Sequence, residues 1–163
     1  MAASLARSTR SAARLLASRA AASVQQRGYA EEMAFTFAAA NKVFYNNANV
    51  KQVDVPSFSG SFGILPKHVP TLAVLKPGVV TIYEQDGSAK KVFVSSGTIT
   101  INDDSSVQVL AEEAHSVEDL DISAAREVLS KAQSELSSAS SEVAKAEAQI
   151  AVEVAEALVA AAQ

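Results

Sequence analysis

The chain has no cysteine and no tryptophan, and it has only two histidines, His68 and His115, among its 163 residues. Without cysteine it can form no disulfide and can use no thiol as a nucleophile or metal ligand. It also has no P-loop, because the glycine pair at 60–63 lacks the lysine and the length that cradle a phosphate. These absences predict a protein that is not an enzyme and that uses no cofactor and no metal.

Acidic residues are absent from the first 29 positions, which carry five arginines and many serines and alanines. This composition is typical of a mitochondrial transit peptide, and Arg27 stands where the processing pattern places an arginine before the cut. We therefore expect a transit peptide at 1–29, with cleavage between Tyr29 and Ala30. A basic helix lying on a membrane surface is the alternative interpretation.

No apolar run approaches the roughly 20 residues that a membrane-spanning helix needs. After removal of residues 1–29 the chain keeps 9 basic and 18 acidic residues, a formal net charge of −9. Such a surface is a poor partner for nucleic acid. Any membrane association is therefore expected to be indirect, through another protein, and nothing in the pattern predicts a homo-oligomer.

Between residues 30 and 116 apolar and polar residues alternate in short runs, as at Phe35 and Phe37. Period two indicates half-buried strands, and several such strands without a helix favour two packed antiparallel sheets. We predict a β-sandwich over 30–116. Its expected core contains Phe35, Phe37, Val53, Ile64, Leu72, Val74, Ile82, Val92, Val94, Ile99, Ile101, Val107 and Val109.

Turn residues separate the predicted strands at Asn46-Asn47, Asp86-Gly87 and Asn102-Asp103-Asp104. Asp-Gly is the strongest of these signals because glycine readily adopts the positive φ of a tight hairpin. The acidic pairs Asp103-Asp104 and Glu112-Glu113 have the chemistry to bind a cation, although a solvated turn and a solvated sheet edge explain them more simply.

From residue 117 to 163 the sequence is rich in alanine, glutamate and serine and contains neither proline nor glycine. Ser137–Ser141 interrupts two helical stretches, so an antiparallel helical hairpin is predicted, with Asp121 or Ser123 as the first cap. The fold class is therefore α+β: an N-terminal antiparallel β-sandwich and a C-terminal two-helix hairpin. The expected apolar stripes are Ala125, Val128, Leu129, Ala132 and Leu136 on the first helix, and Val143, Ala146, Ile150, Val154, Ala157 and Leu158 on the second.

The segment 60–78 contains three of the four prolines. Pro66 and Pro70 bracket a short loop around His68, which predicts a stiff corner. Taken alone, such a loop is an ordinary sandwich corner. Its order G-x-x-G-I-L-P-x-H-x-P-(x4)-L-x-P-G, however, resembles the signature of the rotary ATP synthase subunit family that is called delta in mitochondria and epsilon in bacteria. The similarity extends through 48–56 and into the tail.

This resemblance implies a non-catalytic central-stalk subunit that turns with gamma on the ring of c subunits and transmits rotation during proton-driven ATP synthesis. It implies a c-ring-facing surface at Ser61, Phe62, Pro66, Lys67 and His68, and the small mitochondrial epsilon subunit as a further partner. The expected location is the matrix side of the mitochondrial inner membrane, as a peripheral subunit. A small ligand- or protein-binding β-sandwich module of the matrix is the alternative.

Some bacterial relatives bind ATP through a motif of the form I/L-D-x-x-R-A. The corresponding segment here is 120–125, where Ala124 occupies the arginine position. Arg126 lies two residues later and would point about 200° away around the helix. A nucleotide site at Asp121 is therefore not expected. Residues 112–163 carry eleven acidic and three basic residues, so the tail is expected to brace the rotor rather than bind an acidic segment of a neighbouring subunit.

Overall fold

A computed structural model describes residues 33–163, so the predicted transit peptide and its cleavage site at Tyr29 and Ala30 lie outside the described residues. The described chain is α+β, with nine strands followed by two helices. The strands are β1 (Met33–Ala39), β2 (Val43–Ser57), β3 (Gly60–Ile64), β4 (Thr71–Leu75), β5 (Gly78–Glu84), β6 (Ala89–Val94), β7 (Gly97–Ile101), β8 (Val107–Ala111) and β9 (Ala114–Ser116). A 3-10 turn (Val117–Asp119) leads into α1 (Ile122–Ser138) and α2 (Glu142–Ala161).

The long strand β2 belongs to both layers of the sandwich. Its first part, up to Val50, pairs with β1, and its later part pairs with β3 and β5. One layer therefore contains β4, β7, β8, β1 and the start of β2, and the other contains β3, the end of β2, β5, β6 and β9. Because one strand continues through both layers, hydrogen bonds connect the two sheets as well as side-chain packing.

The pairing of β1 with β8 departs from the expectation of purely antiparallel sheets. Phe35 lies opposite Val107 and Phe37 opposite Val109 in a parallel register. Parallel neighbours need a long crossover connection, and here the whole of β2 to β7 supplies it. The sandwich prediction is confirmed, but the all-antiparallel prediction is wrong for this one pair.

The core lies between the two layers and contains most of the residues that alternation predicted, such as Phe35, Ile64 and Ile99. Two predictions are wrong: Leu72 is 75% exposed and Val74 is 53% exposed. In β4 the inward side chain is Leu75, which is fully buried. The run 72–75 is apolar at every position, so alternation gives no indication of which set faces inward.

The prediction of a turn at Asn46-Asn47 is also wrong, because β2 continues through these residues. The register shifts between Phe35 and Phe37 place both asparagines opposite Thr36, which makes a β-bulge. Asn47 has a φ of 50°, a left-handed conformation that asparagine tolerates, and its backbone N–H donates to Thr36 Oγ1 at 3.2 Å. The asparagines therefore mark a change in strand direction instead of a chain reversal.

The predicted hairpin at Asp86-Gly87 is confirmed between β5 and β6. The backbone N–H of Gly87 donates to Glu84 O at 3.1 Å, and Gly87 has a φ of 88°. A Cβ at this position would meet no heavy atom within 4 Å. A side chain here is therefore opposed by backbone conformation alone and not by crowding.

We expect Gly87→Val to lower the free energy of unfolding by about 1 to 3 kcal/mol, because a β-branched residue is strained at positive φ. Gly87→Asn should cost less than half as much, since asparagine tolerates the left-handed region. Urea denaturation of the full chain measures both. Equal stability of the valine variant and the parent would contradict the assigned turn.

Gly97 begins β7 at a close approach to the neighbouring strand. A Cβ built on Gly97 would clash with the carbonyl oxygen of Leu110 and would lie 2.8 Å from the Cα of Ala111. Both are backbone atoms of the paired strand β8, so no side-chain rotation can relieve the contact. The position requires glycine for space and not for a positive φ.

Helix α1 begins at the predicted cap, where Asp121 Oδ1 accepts from the N–H groups of Ser123 and Ala124. Ser141 caps α2 by accepting from the N–H of Ala144 at 3.1 Å. The side chains buried in the helices are alanines only: Ala125 and Ala132 in α1, and Ala148 and Ala155 in α2. Small side chains allow the two helices to approach closely.

The α1 stripe prediction is mostly confirmed, although Val128 is exposed. The α2 prediction is wrong over its first half, because Val143, Ala146 and Ile150 are exposed. Helix α2 lies against β5. Phe93, on the outward face of neighbouring β6, is only 4% exposed. The hairpin therefore packs on the outer face of the second layer.

Candidate interaction surfaces

The proline-bracketed loop, residues 65–70, is built around a type II turn. Pro66 and Lys67 occupy its central positions, and the N–H of His68 donates to Leu65 O at 3.1 Å. Lys67 has a φ of 64°, which is the value that position requires and that glycine usually supplies. The loop thus combines a fixed proline φ with a left-handed lysine, and this confirms that sharply specified turn residues shape the corner.

Side chains hold the loop from both sides. The ring of His68 lies 6.0 Å from that of Phe62 between centroids, and Phe62 is half-buried against the core. Thr71 Oγ1 donates to Val69 O at 2.8 Å. Among the predicted surface residues, Ser61 and Lys67 are exposed, whereas Phe62 supports His68 from below. The loop is therefore anchored as well as internally constrained.

A second surface, which we term the apolar row, crosses the outer face of the first layer. The register aligns Val74 with Thr98, Thr98 with Leu110, and Leu110 with Ala38. Val43 follows beside Ala38. Leu110 is 63% exposed and Val43 is 61% exposed. Five adjacent strands thus present an aliphatic line to solvent.

The apolar row extends into its surroundings. Val74 and Leu110 line an open groove of about 520 Å³ together with Gly97 and Ala111. On the other side of Val74, exposed Phe58 and Leu72 line a neighbouring hollow. Large exposed apolar surfaces on a folded chain indicate sites of protein association. Sequence reasoning missed this surface because it assigned Leu72 and Val74 to the core.

A polar cluster joins β2, β5 and β6 near the Asp86-Gly87 hairpin. The hydroxyl of Tyr45 donates to Glu84 Oε1 at 2.8 Å, and Lys90 Nζ lies 2.7 Å from the same oxygen. Burial and the hydrogen bond to Glu84 raise the pKa of Tyr45 to about 12, and the hydrogen bond from Lys90 lowers the pKa of Glu84. Tyr45 therefore stays protonated at neutral pH, and the cluster ties strands together without offering a general base.

The remaining chemical candidates offer no ligand site. Asp104 accepts from the N–H of Ser106 at 2.9 Å, and this hydrogen bonding lowers the pKa of its carboxyl group. Asp121 is used as a helix cap. No group of three or more potential metal ligands occurs among residues 33–163. No helix in the described part of the chain has the length and apolar character to cross a bilayer.

Residues 32–117 match the family described as ATP synthase, Delta/Epsilon chain, beta-sandwich domain. This chain belongs to the ATP synthase delta/epsilon family. Residues 120–161, which include both helices, match a second family described as the metazoan delta subunit of F1F0-ATP synthase, C-terminal domain. Together the two matches cover nearly all the described residues, and the boundary between them falls where the sandwich gives way to the helices.

Curated members of the delta/epsilon family resemble the chain along most of its length. The mitochondrial ATP synthase subunit delta of Caenorhabditis elegans is 52% identical over 149 residues, covering 85% of this chain and 91% of that protein. The subunit of the same name in Yarrowia lipolytica is 41% identical over 121 residues, covering 71% and 75%. The resemblance that segment 60–78 indicated is therefore confirmed.

Solved structures confirm the delta/epsilon fold. A chain of the Euglena gracilis mitochondrial ATP synthase, solved as OSCP, F1 and c-ring, superposes with a TM-score of 0.74 at 23% identity and covers 81% of this chain and 82% of its own. A chain from the central stalk and c-ring of the Tetrahymena thermophila enzyme gives 0.61 at 15% identity, with 80% and 96% covered. At these identities the likeness concerns the fold.

Proposed function

We propose that the chain is a central-stalk subunit of the proton-driven rotary ATP synthase, which links gamma to the c-ring and transmits rotation without chemistry of its own. The observation that carries this proposal is the pairing of two contact surfaces on one stiff sandwich. The apolar row covers one face, and the anchored loop 65–70 stands at one end. The named relatives at 52% and 41% identity support the assignment.

Gamma is the partner we assign to the apolar row. Val43, Val74 and Leu110 are each more than half exposed, and they are aligned across five strands instead of being scattered. Single exposed aliphatic residues are ordinary on a protein surface, whereas an aligned set indicates a partner. An elongated partner that lies across the strands would cover the whole row at once.

The c-ring is the partner we assign to the loop end, through Ser61, Pro66, Lys67 and His68, with Phe62 as the support beneath. Rotation loads this contact repeatedly, so the surface must keep its shape. The fixed φ of Pro66, the ring contact below His68 and the anchored backbone all favour such stiffness.

The small mitochondrial epsilon subunit is the partner we assign to the helical hairpin. Val143 and Ile150 leave an aliphatic stripe exposed on α2, and the tail around it has a formal net charge of −8. These features favour an amphipathic helix with basic side chains, because its apolar face would cover the stripe and its charges would complement the glutamates. The hairpin would then brace the rotor.

The mature protein is proposed to begin at Ala30, after a presequence that ends at Tyr29, and to act on the matrix side of the inner membrane. The names of the relatives place those proteins in mitochondria. The chain would be peripheral, since its membrane contact would pass through the c-ring.

Cross-linking in the assembled enzyme tests the assignment. His68→Cys should form a disulfide with cysteines placed in the polar loops of c subunits. Glu113→Cys should not, because Glu113 is exposed at the opposite end of β8 from turn 102–106. The parent chain should copurify with the membrane-bound ATP synthase. Cross-links from His68→Cys to gamma alone would reverse the proposed orientation, and a free matrix protein would favour the ligand-binding alternative.

A further inference from the structure

A single contact ties loop 65–70 to the distant turn at 102–106, between β7 and β8. The backbone N–H of Lys67 donates to Ser105 Oγ at 3.0 Å. Ser105 has a φ of 67°, and the turn that holds it is closed by its own N–H donating to Asn102 O at 3.2 Å. The backbone of one turn therefore places a hydroxyl group against the peptide of the other.

The peptide that Ser105 contacts is the one that distinguishes two turn types. Type I and type II turns differ by a flip of the peptide between their central residues, here Pro66 and Lys67. In a type II turn the second central residue has a positive φ, which is unfavourable for lysine, whereas in a type I turn its φ is negative. Left to local preference, Pro66-Lys67 would favour type I.

We propose that Ser105 is a positioning residue whose hydroxyl holds the Pro66–Lys67 peptide in the type II orientation and so fixes how Lys67 and His68 are presented to a partner. The flipped peptide would turn its N–H away from Ser105 Oγ and lose the hydrogen bond. The second half of this proposal rests on the proposed function, in which the loop faces the c-ring.

The remaining anchors of the loop do not select the turn type. The bond from His68 N–H to Leu65 O closes either turn, and the ring contact between Phe62 and His68 lies outside the flipping peptide. Loss of the Ser105 hydroxyl is therefore expected to reorient one peptide without unfolding the corner. This makes the effect separable from a loss of stability.

The decisive variant is Ser105→Gly, because glycine accepts a φ of 67° and removes only the hydroxyl. Ser106→Ala is the matched control: its hydroxyl lies in the same turn and accepts from Asn102 Nδ2 at 2.8 Å. Ser105→Thr keeps the hydroxyl and should retain the parent behaviour at Lys67. All three are made in the full chain, and thermal unfolding is recorded alongside to monitor the fold.

Amide exchange and cross-relaxation measured by NMR read the peptide directly. In Ser105→Gly we expect the Lys67 amide to exchange about tenfold faster and the strong cross-peak between Pro66 Hα and the Lys67 amide, which marks a type II turn, to weaken. Ser106→Ala should change the exchange rate by less than about twofold. Unchanged exchange and cross-peak in Ser105→Gly, or equal changes in the control, would overturn the positioning role.

The functional half is tested in the assembled enzyme with His68→Cys as the reporter. Adding Ser105→Gly should reduce its cross-linking to c subunits severalfold, whereas adding Ser106→Ala should not. An unchanged yield despite altered Lys67 exchange would overturn the role in presentation. Absence of cross-links from His68→Cys alone would instead refute the proposed function and leave the exchange result intact.

Discussion

Leu110→Asp should weaken the binding of the chain to gamma about 100-fold while leaving the chain folded. Leu110 is 63% exposed on the apolar row, so a buried carboxylate would replace an aliphatic contact only in the complex. Central apolar anchors of interfaces commonly contribute 2 kcal/mol or more, and 1.4 kcal/mol is tenfold in affinity. In the isolated chain an exposed strand substitution should change the free energy of unfolding by less than about 1 kcal/mol.

Gln108→Asp is the control for this variant. Gln108 lies on the same strand and the same face, is also exposed, and receives the same new side chain. It aligns with Thr100 and Thr36 and not with the apolar row. Its affinity for purified gamma, measured by calorimetric titration, should fall less than about threefold. Equal losses in both variants, or no loss in Leu110→Asp, would show that gamma does not cover the row.

Gly97→Ala should lower the free energy of unfolding by about 3 kcal/mol or more. The added Cβ would clash with Leu110 O and lie 2.8 Å from the Cα of Ala111, so β7 and β8 would have to separate. Overpacking that moves backbone costs several times more than crowding a mobile side chain. Since domains of this size have about 5 to 15 kcal/mol in total, this loss is large.

Gly63→Ala supplies the comparison for Gly97→Ala. A Cβ at Gly63 would also lie 2.8 Å from its nearest heavy atom, but that atom is Asp54 Oδ1, at the end of a flexible side chain. We expect a cost below about 1 kcal/mol, because the carboxylate can rotate away from its hydrogen bond with Gln52. Denaturant titration of both variants decides the matter. If the two cost the same, the close approach of β7 to β8 is not the constraint at Gly97.

The sequence predicted most of the fold because its local signals agree with one another. Alternation located the strands, the serine cluster located the helix break, and Asp86-Gly87 located a hairpin with the expected positive φ. These features depend on neighbours within a few residues, which a sequence displays directly. The family signature in segment 60–78 then indicated the function that local features could not.

The failures have a shared physical origin in choices that only tertiary packing decides. Leu72 and Val74 lie in a continuous apolar run, so either face of β4 was acceptable locally. In α2 two apolar stripes lie side by side, and the one that packs is the alanine stripe, since small residues permit the closest helix approach. Val143 and Ile150 are more hydrophobic but remain outside.

The candidate site was predictable only in part for the same reason. The prolines and His68 identified the loop, yet the contact between Lys67 and Ser105 joins residues 38 positions apart and has no sequence signal. The apolar row likewise arises from the register of five strands, which no single segment reveals. Non-local pairing, rather than composition, created both surfaces.

The parallel pairing of β1 with β8 has a consequence for the order in which the chain can fold. Phe35 and Phe37 need Val107 and Val109 beside them, so the first strand has to wait for nearly the last one. Such high contact order makes folding slow. A precursor that crosses a membrane with its N-terminus first would keep these phenylalanines uncovered until β8 had followed. The chain would therefore depend on chaperones for most of its import.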